Sequence, residues 1–245
     1  MVTLSKKNKY VLLHFSFSVL IAMHVMYLIF FIWYPQSLSN ATGVKQIIYI
    51  MVITDVILGP ILSWIIYKEN KKTLKLDLAI IIMIQIIALV YGLYTLAQAR
   101  PAWIVYYKDG FELVQNNQIY IKYKNDINKK YEKISLFGPK YVAVSNPTSY
   151  EQKNHDIFLE MNGISVAQVP MRYAELEFSS KDMQPYARNI KDLKEFNNQT
   201  MLMKVLSKYP QAKYFFPLKA SFKDMTVLVD QDYKVIKIVD LRPWS

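Results

Sequence analysis

Three long apolar stretches dominate the first hundred positions. Val11–Tyr34 runs for 24 residues without Lys, Arg, Asp or Glu, Ile47–Tyr67 for 21 with one acid, Asp55, and Leu78–Ala99 for 22 with no charge. A helix of roughly 20 apolar residues crosses the ~30 Å hydrocarbon core of a bilayer, so each stretch is long enough to span. Helices buried in a soluble protein carry a polar stripe, which these lack. The pattern therefore predicts three transmembrane helices over about 11–34, 47–67 and 78–99. A cleaved leader is disfavoured for the first, because it ends in Trp33-Tyr34-Pro35 rather than in a small-x-small site.

From Arg100-Pro101 onward the pattern shortens and becomes that of a folded domain. Ala102–Tyr107, Phe111–Val114 and Ile119–Tyr123 read as strands, with Asp109-Gly110 as a turn. Tyr150–Met161 reads as a helix capped by Ser149, with Gln152 three residues on and Asn162-Gly163 as a stop; a hairpin centred on Asn162-Gly163 competes. Ser180 can cap a second helix over Asp182–Phe196, and Thr200 a third through Lys208, ended by Pro210. Strands follow at Tyr214–Ala220, Met225–Asp230 and Val235–Leu241, the last two as a hairpin around Gln231–Lys234. The fold class is a three-transmembrane-helix bundle, residues 1–100, followed by an exported α+β domain, residues 101–245.

Charge then fixes a direction. Net charge is +11, but residues 1–100 hold 9 Lys/Arg against 3 Asp/Glu while 101–245 hold 21 against 16. The first surplus is concentrated in Lys6, Lys7 and Lys9 and in a loop carrying Lys68, Lys71, Lys72 and Lys75 up to Asp77; the intervening loop, Gln36–Gln46, has only Lys45. Positive residues stay on the cytoplasmic side, so the N-terminus and the basic loop are expected there, with the C-terminal domain in the periplasm. The basicity then marks topology and contact with acidic lipid headgroups, not nucleic acid.

Ionisable groups at membrane depth are costly and are functional candidates. Counting from the outer helix ends at about 1.5 Å per residue, Asp55, His24 and Tyr91 fall at similar depth. Asp55 is therefore expected to be satisfied by His24 or by the Tyr91 hydroxyl, as a structural polar clamp or a partner interface. Gly59-Pro60 sits mid-helix, where proline removes a backbone bond and kinks the chain. Such a kink either packs within the bundle or opens a groove for another helix.

Catalytic chemistry is sparse. The chain has no cysteine, and its three histidines, His14, His24 and His155, do not make a ligand pattern. No Walker A, GxGxxG or HExxH run is present. Gly163-Ile164-Ser165 lacks the second glycine of a nucleophile elbow, and Asp230-Gln231-Asp232 lacks the rest of a calcium loop. Asp126, Glu132, Glu151 and Glu160 are scattered among lysines, and Asn40-Ala41-Thr42 and Asn198-Gln199-Thr200 are bare sequons. The expectation is a non-enzyme with no metal and no cofactor.

Several of these residues, taken in order, resemble the type IV pilin accessory proteins. They are Trp33-Tyr34-Pro35, Asp55-x-x-Leu58-Gly59-Pro60, the basic loop ending Leu74-Lys75-Leu76-Asp77, Gln85, Tyr91-Gly92, Arg100-Pro101 and Val239-Asp240-Leu241-Arg242-Pro243-Trp244. The resemblance implies an inner-membrane protein of Gram-negative bacteria that binds its cognate type IV pilin and aids its stability or assembly, without catalytic residues to carry over. Asp55, Gly59 and Gly92 are then the expected helix–helix contacts. The basic loop would face membrane lipids or inner-membrane pilus assembly machinery, such as an ATPase. The competing class is a membrane-anchored periplasmic sensor or ligand-binding protein, against which stands a cytoplasmic portion too short for an output domain.

Overall fold

The computed structural model describes residues 4–35, 37–122 and 127–244, without the side chain of Phe178. Gln36, Tyr123 and Asp126, which enter the sequence reading, lie outside the described residues. Three apolar helices long enough to cross a membrane are present: α1 Lys6–Trp33, α3 Lys45–Ile66 and α4 Leu74–Gln98. They begin two to five residues earlier than the apolar stretches, because polar first turns are tolerated where backbone N–H groups face solvent. Ser5 caps α1 by accepting from the Asn8 amide at 3.2 Å.

The chain divides into two compact units, and the division differs from the expected break at residue 100. The first comprises 1–32 and 44–98; the second comprises 33–43 and 99–245. The segment expected to be a plain loop between the first two spans thus belongs to the C-terminal domain. It forms the short helix α2, Leu38–Ala41, whose Leu38 and Ala41 are buried in that domain's core.

The domain is built on β1 Pro101–Tyr107, β2 Gly110–Gln115, β3 Lys140–Val144, β4 Tyr173–Ala174, β5 Arg188–Asn189, β6 Tyr214–Lys219, β7 Met225–Val229 and β8 Val235–Val239. They form one mixed sheet in the order β4-β3-β1-β2-β6-β7-β8, with β5 also paired to β6. The β1–β2 and β7–β8 hairpins are antiparallel, whereas β1–β3 and β2–β6 are parallel. Both faces of β1 are buried. Ile104 and Tyr106 join Phe111, Phe216, Leu218 and Val227 on the face that takes Leu38 and Ala41. Trp103 and Val105 face the other way, against Tyr131, Val142 and Tyr173. A strand buried on two faces reads as a continuous apolar run, as Pro101–Tyr107 does.

Among the described residues the domain also has the helices α5 Lys129–Glu132, α6 Tyr150–Met161, α7 Ser180–Met183 and α8 Gln199–Leu206. α6 has the expected bounds. Ser149 accepts from the Gln152 amide at 3.1 Å, and the Ile164 amide bonds back to Leu159 O at 3.0 Å, closing the helix rather than a hairpin. Two expectations fail. Asp182–Phe196 is not one helix: Pro185 ends α7 after one turn, and β5 and a 3₁₀ segment, Ile190–Glu195, follow. Within Ile119–Tyr123 the described residues form no strand; the Tyr120 amide bonds instead to Gln168 O at 2.8 Å. The third helix starts at Gln199, capped by Asn198 rather than by Thr200. Strand β3, next to β1 in the sheet, was not anticipated.

One surface contact carries a pH dependence. Glu160 accepts from the Tyr107 hydroxyl at 2.6 Å and from Lys108 Nζ at 2.8 and 2.9 Å. The Lys108 bonds, and then the Tyr107 bond, hold its carboxyl below the ordinary carboxylate range. The ionised form is favoured in the folded state, so the stabilisation is present at neutral pH and is lost as pH falls through the lowered value. Glu160→Gln is expected to cost about 1 kcal/mol or less at pH 7, as partly exposed pairs do. In thermal unfolding at pH 7 and in strong acid, the gap between variant and parent should close in acid.

Candidate functional site

Polar groups inside the apolar helices converge on the middle of α3. Its turn Ile53–Leu58 is widened, with the Gly59 amide bonding to Thr54 O five residues back. In that register the next donor would serve Asp55 O, but the next residue is Pro60, which has no N–H. The orphaned carbonyl is taken up from α4, where Gln85 Nε2 donates to Asp55 O at 3.0 Å. Gln85 Oε1 lies 2.9 Å from His14 Nε2, and His14 Nδ1 lies 2.9 Å from Ser63 Oγ. Only one assignment satisfies all three contacts with a neutral imidazole: Ser63 donates to Nδ1, and Nε2–H donates to Gln85. The chain Ser63–His14–Gln85–Asp55 O therefore ties α1, α3 and α4 together. A Cβ at Gly59 would lie 2.0 Å from Gln85 Nε2, so the glycine is what admits the amide to the backbone.

The sequence-predicted clamp is placed differently. His24 is exposed, and its Nδ1 is 2.8 Å from Leu20 O on its own helix. Tyr91 is exposed too. Neither meets Asp55, because α1 and α4 present His14 and Gln85 to α3 instead. Asp55 is 9% exposed, and its Oδ1 is buried without a hydrogen-bond partner. It lines a cavity of about 330 Å³ together with His14, Ser18 and Ala22 of α1 and Gln85 and Leu89 of α4. Gly92 is occupied internally, since a Cβ there would be 2.8 Å from Met51 Sδ. His14 and Ser63 were missed by sequence reasoning. The signal available was Pro60, whose missing donor demands a replacement from another helix.

The basic loop residues Lys68, Lys71, Lys72 and Lys75 are exposed, with Lys71 paired to Asp77 at 2.6 Å. Lys7 lies over the Trp64 ring at 4.1 Å.

A second group of the motif residues gathers in the C-terminal domain and holds the inserted segment. The Arg100 guanidinium sits 5.9 Å from the Trp33 ring, and Tyr34 is fully buried. Burial pushes the Tyr34 hydroxyl up, against a smaller opposing effect of the Arg100 charge. Pro35 is half-buried, and Pro101 opens β1. At the chain's other end Asn40 Nδ2 donates to Asp240 Oδ2 at 2.9 Å, while Arg242 pairs with Asp240 and donates to Asp224 O. Trp244 Nε1 donates to Asp224 Oδ2 at 3.0 Å, and Pro243 is buried. The amides of Phe222 and Lys223 both bond to Ala41 O, at 3.0 and 3.1 Å. Gly43 takes φ +70° with the Phe222 ring 2.8 Å from where a Cβ would lie. Among the described residues no three His, Asp or Glu side chains gather as a metal site.

Helices of this length and apolarity, joined to a mixed-sheet domain, define a membrane-associated protein of α+β class. Residues 3–43 match the family model described as fimbrial assembly protein FimB. Over 239 residues the chain is 26% identical to a fimbrial assembly protein, serogroup E1, of Dichelobacter nodosus, covering 94% of this chain and 93% of that one. The serogroup I protein of the same organism matches equally, at 26% over 239 residues. The protein of serogroups C1 and C2 is 31% identical over 109 residues, 44% of this chain and 83% of that one. No solved structure matches. The chain belongs to the FimB fimbrial assembly protein family, in keeping with its resemblance to type IV pilin accessory proteins.

Proposed function

We propose that this protein is a non-enzymatic assembly factor that binds a type IV pilin in the inner membrane and aids its stability or its incorporation into pili. The observation that carries the reading is the likeness, along nearly the whole chain, to fimbrial assembly proteins of Dichelobacter nodosus. The architecture is compatible with it. A pilin awaiting assembly has an apolar helix in the bilayer and a globular head outside. Apolar helices and a sheet domain in one chain can engage both parts, and two linked weak contacts gain from effective concentration. The lysines near the N-terminus and in the 68–77 loop favour a cytoplasmic position for both, which leaves the sheet domain in the periplasm. The loop lysines then face acidic headgroups or the assembly machinery. Deleting the gene and measuring total pilin and surface pili tests the reading. Loss of surface pili is expected, with or without loss of pilin; unchanged levels of both would overturn it.

A further inference from the structure

The cavity beside Asp55 has a shape and a polarity of its own. α3 packs against both α1 and α4, and the cavity is lined by residues of α1 and α4 together with Asp55. Its α1 wall runs from Tyr10 to Val25, about 22 Å of helix at 1.5 Å per residue, most of the hydrocarbon thickness. Ser18 and Ala22, four residues apart, keep that wall low and let another backbone come close. Phe17 and Ile21 on one rim, and Ile82 and Ile86 on the other, are exposed apolar residues. The polar chain through His14 and Gln85 is complete in itself and uses the Asp55 backbone, not its carboxyl. One carboxyl oxygen of Asp55 is left buried and unpaired, on a residue that lines the apolar groove, so a partner that brings a hydrogen-bonding group there is favoured.

We infer that this groove seats one transmembrane helix of the pilin, with a hydrogen-bonding side chain of that helix against the Asp55 carboxyl. The inference rests on the pilin-binding reading and deepens it. A helix matches the length of the groove, and the cavity takes one ridge of its side chains. A lipid acyl chain fits the apolar walls but offers nothing to Asp55. Gly59 and Gly92 are excluded from the contact, since Gln85 and Met51 already fill the space over them.

The test uses the full chain in membranes that also contain the pilin. A photo-crosslinking residue is placed at Phe17, Ile21 or Ile86 on the rims, at Tyr49 or Ile57 on α3 away from the groove, and at Phe137 in the sheet domain. Pilin adducts are expected from the rim positions and not from Tyr49 or Ile57. Asp55→Asn should keep the rim adducts, and Asp55→Leu should lose them while adducts at Phe137, if formed, persist. Pilin captured only from Phe137 would overturn the groove and leave pilin binding standing. A rim adduct with a second copy of this chain or with lipid in place of pilin would overturn it, as would full retention in Asp55→Leu. No pilin adduct from any position, together with unchanged pili on deletion, would remove the underlying reading as well.

Discussion

Gly59→Ala is expected to destabilise the apolar helices by about 2–4 kcal/mol, although alanine in place of glycine inside a helix ordinarily gains ~1 kcal/mol. The reversal of sign comes from Gln85. An added methyl would sit 2.0 Å from its Nε2, and the flexible amide can swing away at little steric cost. What is lost is the set of bonds that it makes. Asp55 O, already deprived of a backbone donor by Pro60, is left unpaired, and His14 loses its acceptor. Bonds between helices in lipid average ~0.6 kcal/mol and reach ~1.7, and a buried group left unmet adds ~1–3. Thermal unfolding of the detergent-solubilised chain reads the total. Gln85→Ala should cost a similar amount by itself, and adding Gly59→Ala to it should cost little more, because the amide in conflict is already gone. Additive losses would show that the two residues act separately.

Leu38→Ala is expected to cost the sheet domain about 2–5 kcal/mol, the range for truncating a fully buried leucine. Leu38 is 2% exposed and packs with Ile104, Phe216 and Val227, on strands that begin more than sixty residues later in the chain. Hydrogen exchange resolves the effect by region. Amides of β6 and β7 should exchange faster, while those of α4, in the other unit, should not change. Unchanged protection in β6 and β7 would mean that the 33–43 segment rests on the domain without supporting it.

The helices of the first unit are plain in the sequence, because 21 to 24 predominantly apolar residues with at most one charge leave a chain few other options. The β7–β8 hairpin is equally plain, a polar turn between alternating strands, whereas for α6 Ser149 marks the start but Asn162-Gly163 serves a helix stop and a hairpin turn alike, and the Ile164 amide on Leu159 O decides for the helix. Sequence and structure part where a weak local signal competes with a stronger one or where no local signal exists. Pro185 is the local signal that stops the helix expected over Asp182–Phe196. Gly138-Pro139 ahead of Tyr141-Val142-Ala143-Val144 marks β3, which had no further advertisement. For 33–43 nothing local indicates that Leu38 is core, since four residues of helix have no readable period. Within the candidate site, Asp55, Gly59, Pro60 and Gln85 stood out individually. Their arrangement did not, because reckoning depth from helix ends assumes helices in register and says nothing about which face each residue occupies. Depth alone pairs Asp55 with His24 or Tyr91, whereas it is His14 that lies beside Gln85.

The bond between Asn40 and Asp240 spans 200 positions of sequence, and this has a consequence in time. Residue 40 leaves the ribosome 200 residues ahead of residue 240. The segment that completes one face of the sheet must therefore wait, on the far side of the first membrane crossing in the proposed topology, until two further helices have inserted and β6, β7 and β8 have followed. Contacts so distant in sequence form late and slowly, and chains usually fold domain by domain as they emerge. Here the Asp240–Trp244 stretch acts as a latch that closes only after synthesis and threading have passed Trp244. A molecule truncated before Asp240, or inserted with a helix missing, would keep its 33–43 segment undocked and remain open to proteolysis.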